Sequence, residues 1–157
     1  MSNSGELDAR EYAPSLELLR KIDFLEGVPD EDLKSILFSL QKQVFAPSRT
    51  ILFQGEISNR LFIVRKGSVL ISIKNRGEKL RLAELTPPMY FGEISLLTPS
   101  SATATVASGE EGADLLILSH ESFNQLSKKL PDIRERIQTV IQSRLSAAKE
   151  ARKSDDS

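Results

Sequence analysis

The residues of this chain that are best suited to binding chemistry lie in one run, residues 91–106, which reads FGEISLLTPSSATATV. Gly92 lets the backbone approach a ligand closely, and the Glu93 carboxylate offers two acceptor oxygens that suit a ribose hydroxyl. The residues after Glu93 indicate a short turn of helix, and small residues follow the break at Pro99. Small side chains and exposed N–H groups are how a backbone surrounds an anion. The run therefore predicts a loop that binds a sugar phosphate.

This run resembles the phosphate-binding loop of the cyclic-nucleotide-binding domain family, whose pattern is Phe-Gly-Glu, four mostly apolar residues, a short spacer and Arg-x-Ala-(Thr/Ser)-Val. The resemblance implies that Gly92 and Glu93 engage the ribose, and it places Ala102 where the family's Arg neutralises the cyclic phosphate. Thr103 stands where a hydroxyl in some members favours guanine over adenine. The spacer, residues 98–101, has the family's length, so the alignment needs no insertion.

The Ala at position 102 has a calculable consequence for binding. A charge-assisted contact between Arg and phosphate contributes roughly 1.5–3 kcal/mol, so its absence predicts binding weaker by about 10- to 100-fold or more. Backbone N–H groups and the hydroxyls of Ser100, Ser101 and Thr103 are expected to recover only part of this loss.

Two further stretches support the resemblance. Residues 55–69, GEISNRLFIVRKGSV, are similar to the family's two-glycine strand motif, and their own pattern predicts a short buried strand and then a turn at Lys66-Gly67. Residues 24–33, FLEGVPDEDL, are similar to the family's opening segment, with Asp30 placed to cap the next helix. The resemblance covers about residues 20–145.

Three consecutive regions must position the loop. A helical lead at 16–40 precedes a strand-rich middle at about 44–118, and helical patterning follows at about 120–150. Short alternating strands at this spacing, with hairpin turns at 74–78 and 109–112, predict a mainly β fold with flanking helices. The resemblance implies the same architecture, a double-stranded β-helix or jelly roll of about eight strands, with an N-terminal helical segment and two C-terminal helices.

The expected organisation is a polar tail at 1–15, one cyclic-nucleotide-binding-like domain at 16–150 and a disordered tail at 151–157. In this arrangement the loop forms one wall of the site and apolar side chains form its floor. The candidate ligand-binding residues are Phe91, Gly92, Glu93, Ile94, Ser95, Ser100, Ser101, Ala102, Thr103, Ala104, Val69, Ile71 and Leu82. Glu93 also has a purely structural interpretation, in which it holds N–H groups at a loop–helix junction.

The amino-acid composition argues against several other classes of function. The 157 residues with 39% hydrophobic side chains suffice for one core, no apolar run has the length of a membrane span, and the polar first ten residues predict no signal peptide. The chain has no Cys, which excludes disulfides and thiol catalysis and is compatible with the cytoplasm. The single His120 lacks partners for a triad or metal site. We therefore expect no enzyme activity, no metal and no cofactor beyond a possible cyclic AMP or cyclic GMP ligand.

The last helix has two interpretations. Its apolar residues recur at spacings of three and four; they are Ile133, Ile137, Val140, Ile141, Leu145 and Ala148. The stripe is expected to pack against the domain itself, or to act as a lid or as a homodimer contact as in the family, and these uses can coexist. Basic residues between 128 and 153 are interpreted as solvated. Bacterial transcription factors of the family carry a helix-turn-helix domain after this helix, so the end of the chain at Ser157 predicts no direct DNA binding.

Two functions remain open at this point. The first is a regulatory module that binds a cyclic nucleotide, weakly or with a guanine preference through Thr103, and signals to an unknown partner protein by moving its last helix. The second is a degenerate member of the family, which serves as a dimerisation or docking module with its pocket empty or holding another anion. Intact Gly92 and Glu93 favour the first, and Ala102 favours the second.

Overall fold

The computed structural model describes residues 3–5 and 7–155. A short strand and two helices precede the strand-rich middle of the chain, and two helices follow it. The helices are α1 (Ala9–Arg20), α2 (Asp30–Phe38), α3 (Glu93–Leu97), α4 (His120–Lys129) and α5 (Asp132–Asp155), with a short 3-10 helix at Asp23–Leu25. The strands are β1 (Asn3–Gly5), β2 (Gln41–Phe45), β3 (Thr50–Leu52), β4 (Ile57–Ser58), β5 (Arg60–Asn75), β6 (Glu78–Leu85), β7 (Tyr90–Phe91), β8 (Ser100–Ser101) and β9 (Thr105–Ser119).

Within the described residues, seven of the strands form one antiparallel sheet and two form a small ribbon. The large sheet has the order β1-β2-β9-β5-β6, with β3 added to β9 and β7 added to β5, while β4 pairs with β8. The long strands β5 and β9 pair from Arg60↔Ser119 to Ser72↔Thr105. Because both strands run the length of the sheet with register shifts, they curl it into a roll. The predicted mainly β class with flanking helices is confirmed.

Both faces of the central strands are buried. On β5, Leu61 and Ile63 face the helices, whereas the alternate residues Phe62 and Val64 face the interior of the roll. Residues 115–118 of β9 divide in the same way between the two clusters. A strand buried on both faces reads as a continuous apolar run, which is why these segments lack alternation in the sequence.

Two of the three predicted turns are wrong. The turn between β5 and β6 at Arg76-Gly77 forms as predicted within 74–78. At Lys66-Gly67 and at 109–112, however, β5 and β9 continue, with register shifts between Val64/Lys66 and Gly67/Val69. Glycine with a positive φ serves a bulge as well as a turn, so the local sequence did not distinguish the two.

Residues 9–15 of the expected polar tail at 1–15 belong to helix α1. Helix α1 begins at Ala9 because Asp8 and Glu11 form a capping box, in which the Asp8 carboxylate accepts from the Glu11 N–H and the Glu11 carboxylate accepts from the Asp8 N–H. Glu11 also pairs with Arg65 of β5 at 2.5 Å, and Arg65 pairs with Asp114 of β9 at 2.6 Å. These ion pairs fix α1 to the roll, so the domain starts earlier than residue 16.

Helix α5 packs on the domain itself along the first half of its apolar stripe. Ile133, Ile137 and Ile141 are buried in the helical cluster with Phe123 of α4, as the packing interpretation predicted. The side chains of Leu145 and Ala148, which complete the predicted stripe, lie outside the part that the structure describes. Of the expected disordered tail at 151–157, residues through Asp155 belong to α5, and the last two are not described.

Candidate functional site

The candidate loop begins with a sharp turn of the backbone at Gly92. Its φ is 88°, between β7 and α3, and a Cβ at this position would collide with the carbonyl oxygen of Arg60. The Leu96 N–H donates to the Gly92 carbonyl at 3.1 Å, which closes the first turn of α3. This geometry places Glu93 directly after the turn, with Phe91 before it stacked on Phe62 at 4.7 Å between ring centroids. The loop therefore starts from a rigid support.

The second half of the loop is fixed to the segment between β3 and β4. The Ala102 N–H donates to the Glu56 carbonyl at 2.8 Å, and the Gly55 N–H donates to the Ala102 carbonyl at 2.8 Å. The Thr105 hydroxyl accepts from the Gln54 N–H at 2.9 Å. The N–H group of Ala102 is thus already paired.

Together the two halves enclose a cavity of about 240 Å³. Eleven of the thirteen residues singled out from the sequence line it, from Phe91 to Ser95, from Ser100 to Ala104, and Ile71. Leu52 and Val106 complete the apolar wall. The apolar identities of Leu52 and Val106 were visible in the sequence, but no local pattern placed them at the ligand side of the roll.

The other two predicted floor residues, Val69 and Leu82, do not line the cavity. Val69 is fully buried in the interior cluster of the roll, away from the cavity surface. Leu82 is 52% exposed, and the other residues of β6 from Glu78 to Glu84 are exposed as well. It is also skipped in the pairing with β5, where Ile71 pairs with Ala83 and Ser72 with Arg81. The predicted floor therefore extends beyond the residues that line this cavity.

Glu93 is the one charged residue in the described cavity lining. Its side chain is 17% exposed, and its Oε1 atom accepts from Nη1 of Arg144 in α5 at 2.9 Å. The Arg144 guanidinium also lies 4.4 Å above the Tyr90 ring and 3.8 Å from Oδ2 of Asp23. The pocket carboxylate is thus joined directly to the last helix.

Tyr90 and Asp23 hold this ion pair in place. The Tyr90 hydroxyl donates to Oδ1 of Asp23 at 2.6 Å, and the Tyr90 ring packs edge-on against Phe24. Burial of the Tyr90 hydroxyl, with its hydrogen bond to Asp23, raises the pKa of this side chain. The tyrosine therefore stays neutral and presents its ring face to Arg144.

Comparison with known proteins places this site in a family. The family model for the cyclic nucleotide-binding domain matches residues 42–129, which is more than half of the 157 residues.

The chain belongs to the cyclic nucleotide-binding domain family.

Among curated relatives of this family, the cyclic AMP receptor protein of Thermus thermophilus is 28% identical over 123 residues, covering 78% of this chain and 56% of the relative. The potassium/sodium hyperpolarization-activated cyclic nucleotide-gated channel 3 of Homo sapiens is 32% identical over 111 residues, covering 71% of this chain and 14% of the channel. The chain thus spans only part of the length of these relatives. They support a ligand-binding regulatory module.

Solved structures agree with the fold. The catabolite activator protein of Thermus thermophilus superposes with a TM-score of 0.77 at 26% identity, covering 83% of this chain and 61% of that one. A cyclic nucleotide-binding domain from Methylobacillus flagellatus also gives a TM-score of 0.77, over 96% of this chain and 84% of that one, at 18% identity. In the described residues, no helix has the length and hydrophobicity to cross a membrane.

His120 has a structural position in this family member. Its Nδ1 lies 2.6 Å from the Leu96 carbonyl at the end of α3, and its Nε2 lies 3.2 Å from the side-chain nitrogen of Asn124. Arg134 of α5 donates to Oδ1 of Asn124 at 2.9 Å, which turns the amide NH₂ toward the imidazole. The ring therefore connects α3, α4 and α5, and it does not line the cavity.

Arg144 is the important residue that sequence reasoning missed, since it was counted with the solvated basic residues. Its position did carry a signal. Arg144 follows Ile141 by three residues and Ile137 by seven, so it continues the buried face of α5. A charged side chain in line with a buried stripe needs a partner, and Glu93 is that partner.

Proposed function

We propose that this chain is a ligand-regulated binding module, in which a cyclic nucleotide enters the 91–106 cavity weakly and its binding changes the position of α5. The module has no catalysis of its own and acts on another protein. The observation that carries the proposal is the hydrogen bond of 2.9 Å between Arg144 and Glu93. It joins the element that would bind the ligand to the element that would report it.

The coupling follows from competition for one carboxylate. In the family pattern the residue at the place of Glu93 accepts a hydrogen bond from the ribose, whereas here its Oε1 accepts from Arg144. A ribose hydroxyl that bonds to Glu93 weakens its pair with Arg144 and favours an α5 position in which Arg144 has left. A ligand shifts such an equilibrium only by its difference in affinity for the two positions. Glu93 provides that difference.

The C-terminal half of α5 is the part that we expect to move. Ile133, Ile137 and Ile141 anchor the N-terminal half in the helical core, and Arg144 comes directly after this anchor. Release of Arg144 therefore leaves the anchor intact and frees the segment beyond it. Ile141 is buried, whereas the side chains of the next three residues, 142–144, are exposed.

The choice of nucleotide belongs to the same proposal. Ala102 supplies no cation, which predicts weak binding of both cyclic AMP and cyclic GMP. Thr103 lies in the cavity lining, and we infer from its hydroxyl a preference for guanine, as the family resemblance implies. A ranking of the two cyclic nucleotides by affinity tests this part separately.

The movement of α5 can be measured with two spin labels. The chain has no Cys, so Ser146→Cys on α5, beyond Arg144, and Lys79→Cys on β6, both exposed, give one specific label pair. We expect the distance distribution between the labels to change when cyclic AMP or cyclic GMP is added at millimolar concentration. In Glu93→Gln the change is expected without ligand, because the ion pair is lost, whereas the exposed control Glu121→Gln should behave like the wild type. Identical distributions with and without saturating ligand would contradict the proposal.

The second candidate function is a dimerisation or docking module without nucleotide binding. The same cavity favours this function. Among its described lining residues, a phosphate would meet the uncharged Ala102 and the negatively charged Glu93, and neither attracts it. Titrations that show no binding for the wild type and for Glu93→Gln would select this function.

A further inference from the structure

We propose that the cavity prefers an uncharged ribonucleoside to the cyclic nucleotide with the same base. This inference rests on the proposed function, since it concerns the same cavity and the same contact at Glu93. It goes beyond that function in naming which chemical class of ligand the site ranks first.

The first argument is the sign of the charge in the cavity. Of the described residues that line it, Glu93 is charged and the rest are apolar, small or hydroxyl-bearing. A cyclic phosphate carries one negative charge, which would sit in a partly enclosed site beside a carboxylate. Burying a charge without a partner is unfavourable, and a like charge nearby adds to the cost. A nucleoside has the same ribose and base without this charge.

Arg144 does not replace the missing cation. Its guanidinium pairs with Glu93 at 2.9 Å and lies 3.8 Å from Asp23, so two carboxylates already share its single positive charge. Its face is occupied by the Tyr90 ring. The cluster of Arg144, Glu93 and Asp23 is therefore net negative, and a phosphate gains no net attraction from it.

The hydrogen-bond donors of the loop suit a neutral ligand for a second reason. The Ala102 N–H, at the position of the family's Arg, donates to the Glu56 carbonyl. The hydroxyls of Ser95 and Ser100 lie 3.0 Å apart and bond to each other. Ser101 and Thr103 offer neutral hydroxyls, which satisfy a ribose hydroxyl or a base but do not neutralise a phosphate.

The remaining features of the cavity fit a ribose and a base. Glu93 follows Gly92 and presents a carboxylate, which accepts hydrogen bonds from a vicinal diol. The apolar wall offers a surface for a planar base; it consists of Leu52, Ile71, Phe91 and Val106. A ligand pocket of this kind, mostly apolar with a few placed polar groups, binds by shape and orientation rather than by net charge.

The test compares matched ligands on the full wild-type chain by calorimetric titration. Adenosine and guanosine are compared with cyclic AMP and cyclic GMP, and 2′-deoxyadenosine serves as the control for the diol. We expect each nucleoside to bind at least tenfold more tightly than its cyclic nucleotide, and the deoxynucleoside to bind more weakly than adenosine. Added salt should raise the affinity for the cyclic nucleotide, because salt screens the repulsion between its phosphate and Glu93. The affinity for the nucleoside should not change with salt.

A charge added at position 102 should narrow the difference in affinity between the two ligands and reverse the salt dependence of cyclic nucleotide binding. In Ala102→Arg, the affinity for the cyclic nucleotide is expected to rise at least tenfold, because a charge-assisted contact then forms. This affinity should fall when salt is added, because salt screens the attraction. The control Ala102→Gln adds a side chain of intermediate length without charge and should preserve the wild-type ranking. Thermal unfolding of both variants checks that the fold is retained, and the wild-type ranking stands as a test without either variant.

The outcomes separate this inference from the function on which it rests. If cyclic nucleotides bind as tightly as nucleosides or more tightly, and they move the labels on α5, the inference is overturned and the proposed function stands. If nucleosides bind more tightly and the labels stay in place, the ligand class is right and the signalling role of α5 is wrong. If no ligand binds, both fail.

Discussion

Replacement of Arg144 by glutamine should raise ligand affinity while it lowers stability. In the described structure Arg144 occupies the Glu93 oxygen Oε1 at 2.9 Å, so a ligand that needs this carboxylate must first displace the guanidinium. The side chains of Arg144 and Glu93 are 44% and 17% exposed, which places the pair among partly solvated ion pairs. Such pairs contribute about 0.5–1 kcal/mol after solvent screening. Arg144→Gln removes this competition.

The expected size of the effect follows directly. A loss of about 0.5–1 kcal/mol of competing interaction raises the affinity of a ribose ligand by about two- to fivefold. The same substitution removes the contact of Arg144 with the Tyr90 ring, so the free energy of unfolding should fall by about 1 kcal/mol. Opposite changes in affinity and stability distinguish competition from general loosening of the fold.

Arg136→Gln is the matched control on the same helix. Arg136 donates to the Glu26 carbonyl at 2.8 Å and holds α5 against the 3-10 helix, but it does not contact Glu93. We expect it to lower stability and to leave affinity unchanged. Calorimetric titration with adenosine and with cyclic AMP, at low and high salt, gives the affinities, and urea unfolding gives the stabilities.

Two results would refute the reasoning about Arg144. One is an affinity in Arg144→Gln that is unchanged or reduced for both ligands, which would mean that Glu93 is free to bind despite the pair. The other is an equal gain in Arg136→Gln, which would mean that any loosening of α5 opens the cavity. A gain that shrinks in high salt agrees with an ionic competitor.

Two other substitutions test the support of the site. Gly92→Ala should lower the free energy of unfolding in urea by about 3 kcal/mol, because the added methyl group collides with the Arg60 carbonyl and the φ of this residue is positive. The control Gly77→Ala has a similar φ but open space around it, so it should lower the free energy of unfolding by about 1 kcal/mol. Equal losses would contradict this. Although burial raises the pKa of Glu11, its hydrogen bonds and ion pairs, including that with Arg65, lower this pKa from 4.5 to about 2. Above pH 4.5, the wild type should therefore be more stable than Glu11→Gln by about 2 kcal/mol. This difference should disappear as the pH falls from 4.5 to 2. A difference that does not depend on pH would refute the role of the charge.

The ion pairs of the N-terminal helix show why this pH dependence reports on the fold rather than on the cavity. Glu11 pairs with Lys42 at 3.1 Å and with Arg65 at 2.5 Å, on β2 and β5. None of these residues lines the cavity. Ligand affinity and acid stability should thus be separable by substitution.

Local sequence was sufficient for the fold class and for most of the loop. The Gly-Glu pair, the short helix after it and the small residues beyond Pro99 are consecutive, so their relation in space follows from backbone geometry alone. Ten of the thirteen candidate residues line one cavity for this reason, whereas Ile71 reaches it from β5. The apolar runs of β5 and β9 were likewise visible, because strands buried on both faces are continuously hydrophobic.

The register of the strands was not determined locally. Leu82 has the sequence of an inward-facing strand residue, but both faces of β6 are exposed from Glu78 to Glu84, and a bulge leaves Leu82 without a partner residue in β5. The two false turns have the same cause, since a glycine with positive φ fits a bulge or a turn and the partner strand decides between them.

The sequence by itself determined that a loop with a carboxylate and no arginine would form on a β roll. The tertiary structure decided what that carboxylate contacts. Glu93 and Arg144 are 51 residues apart, and they meet because the stripe of Ile133, Ile137 and Ile141 seats α5 on the core and directs Arg144 toward the cavity. A charge in a sequence has no partner until packing brings one within hydrogen-bond distance, and that packing depends on the whole chain.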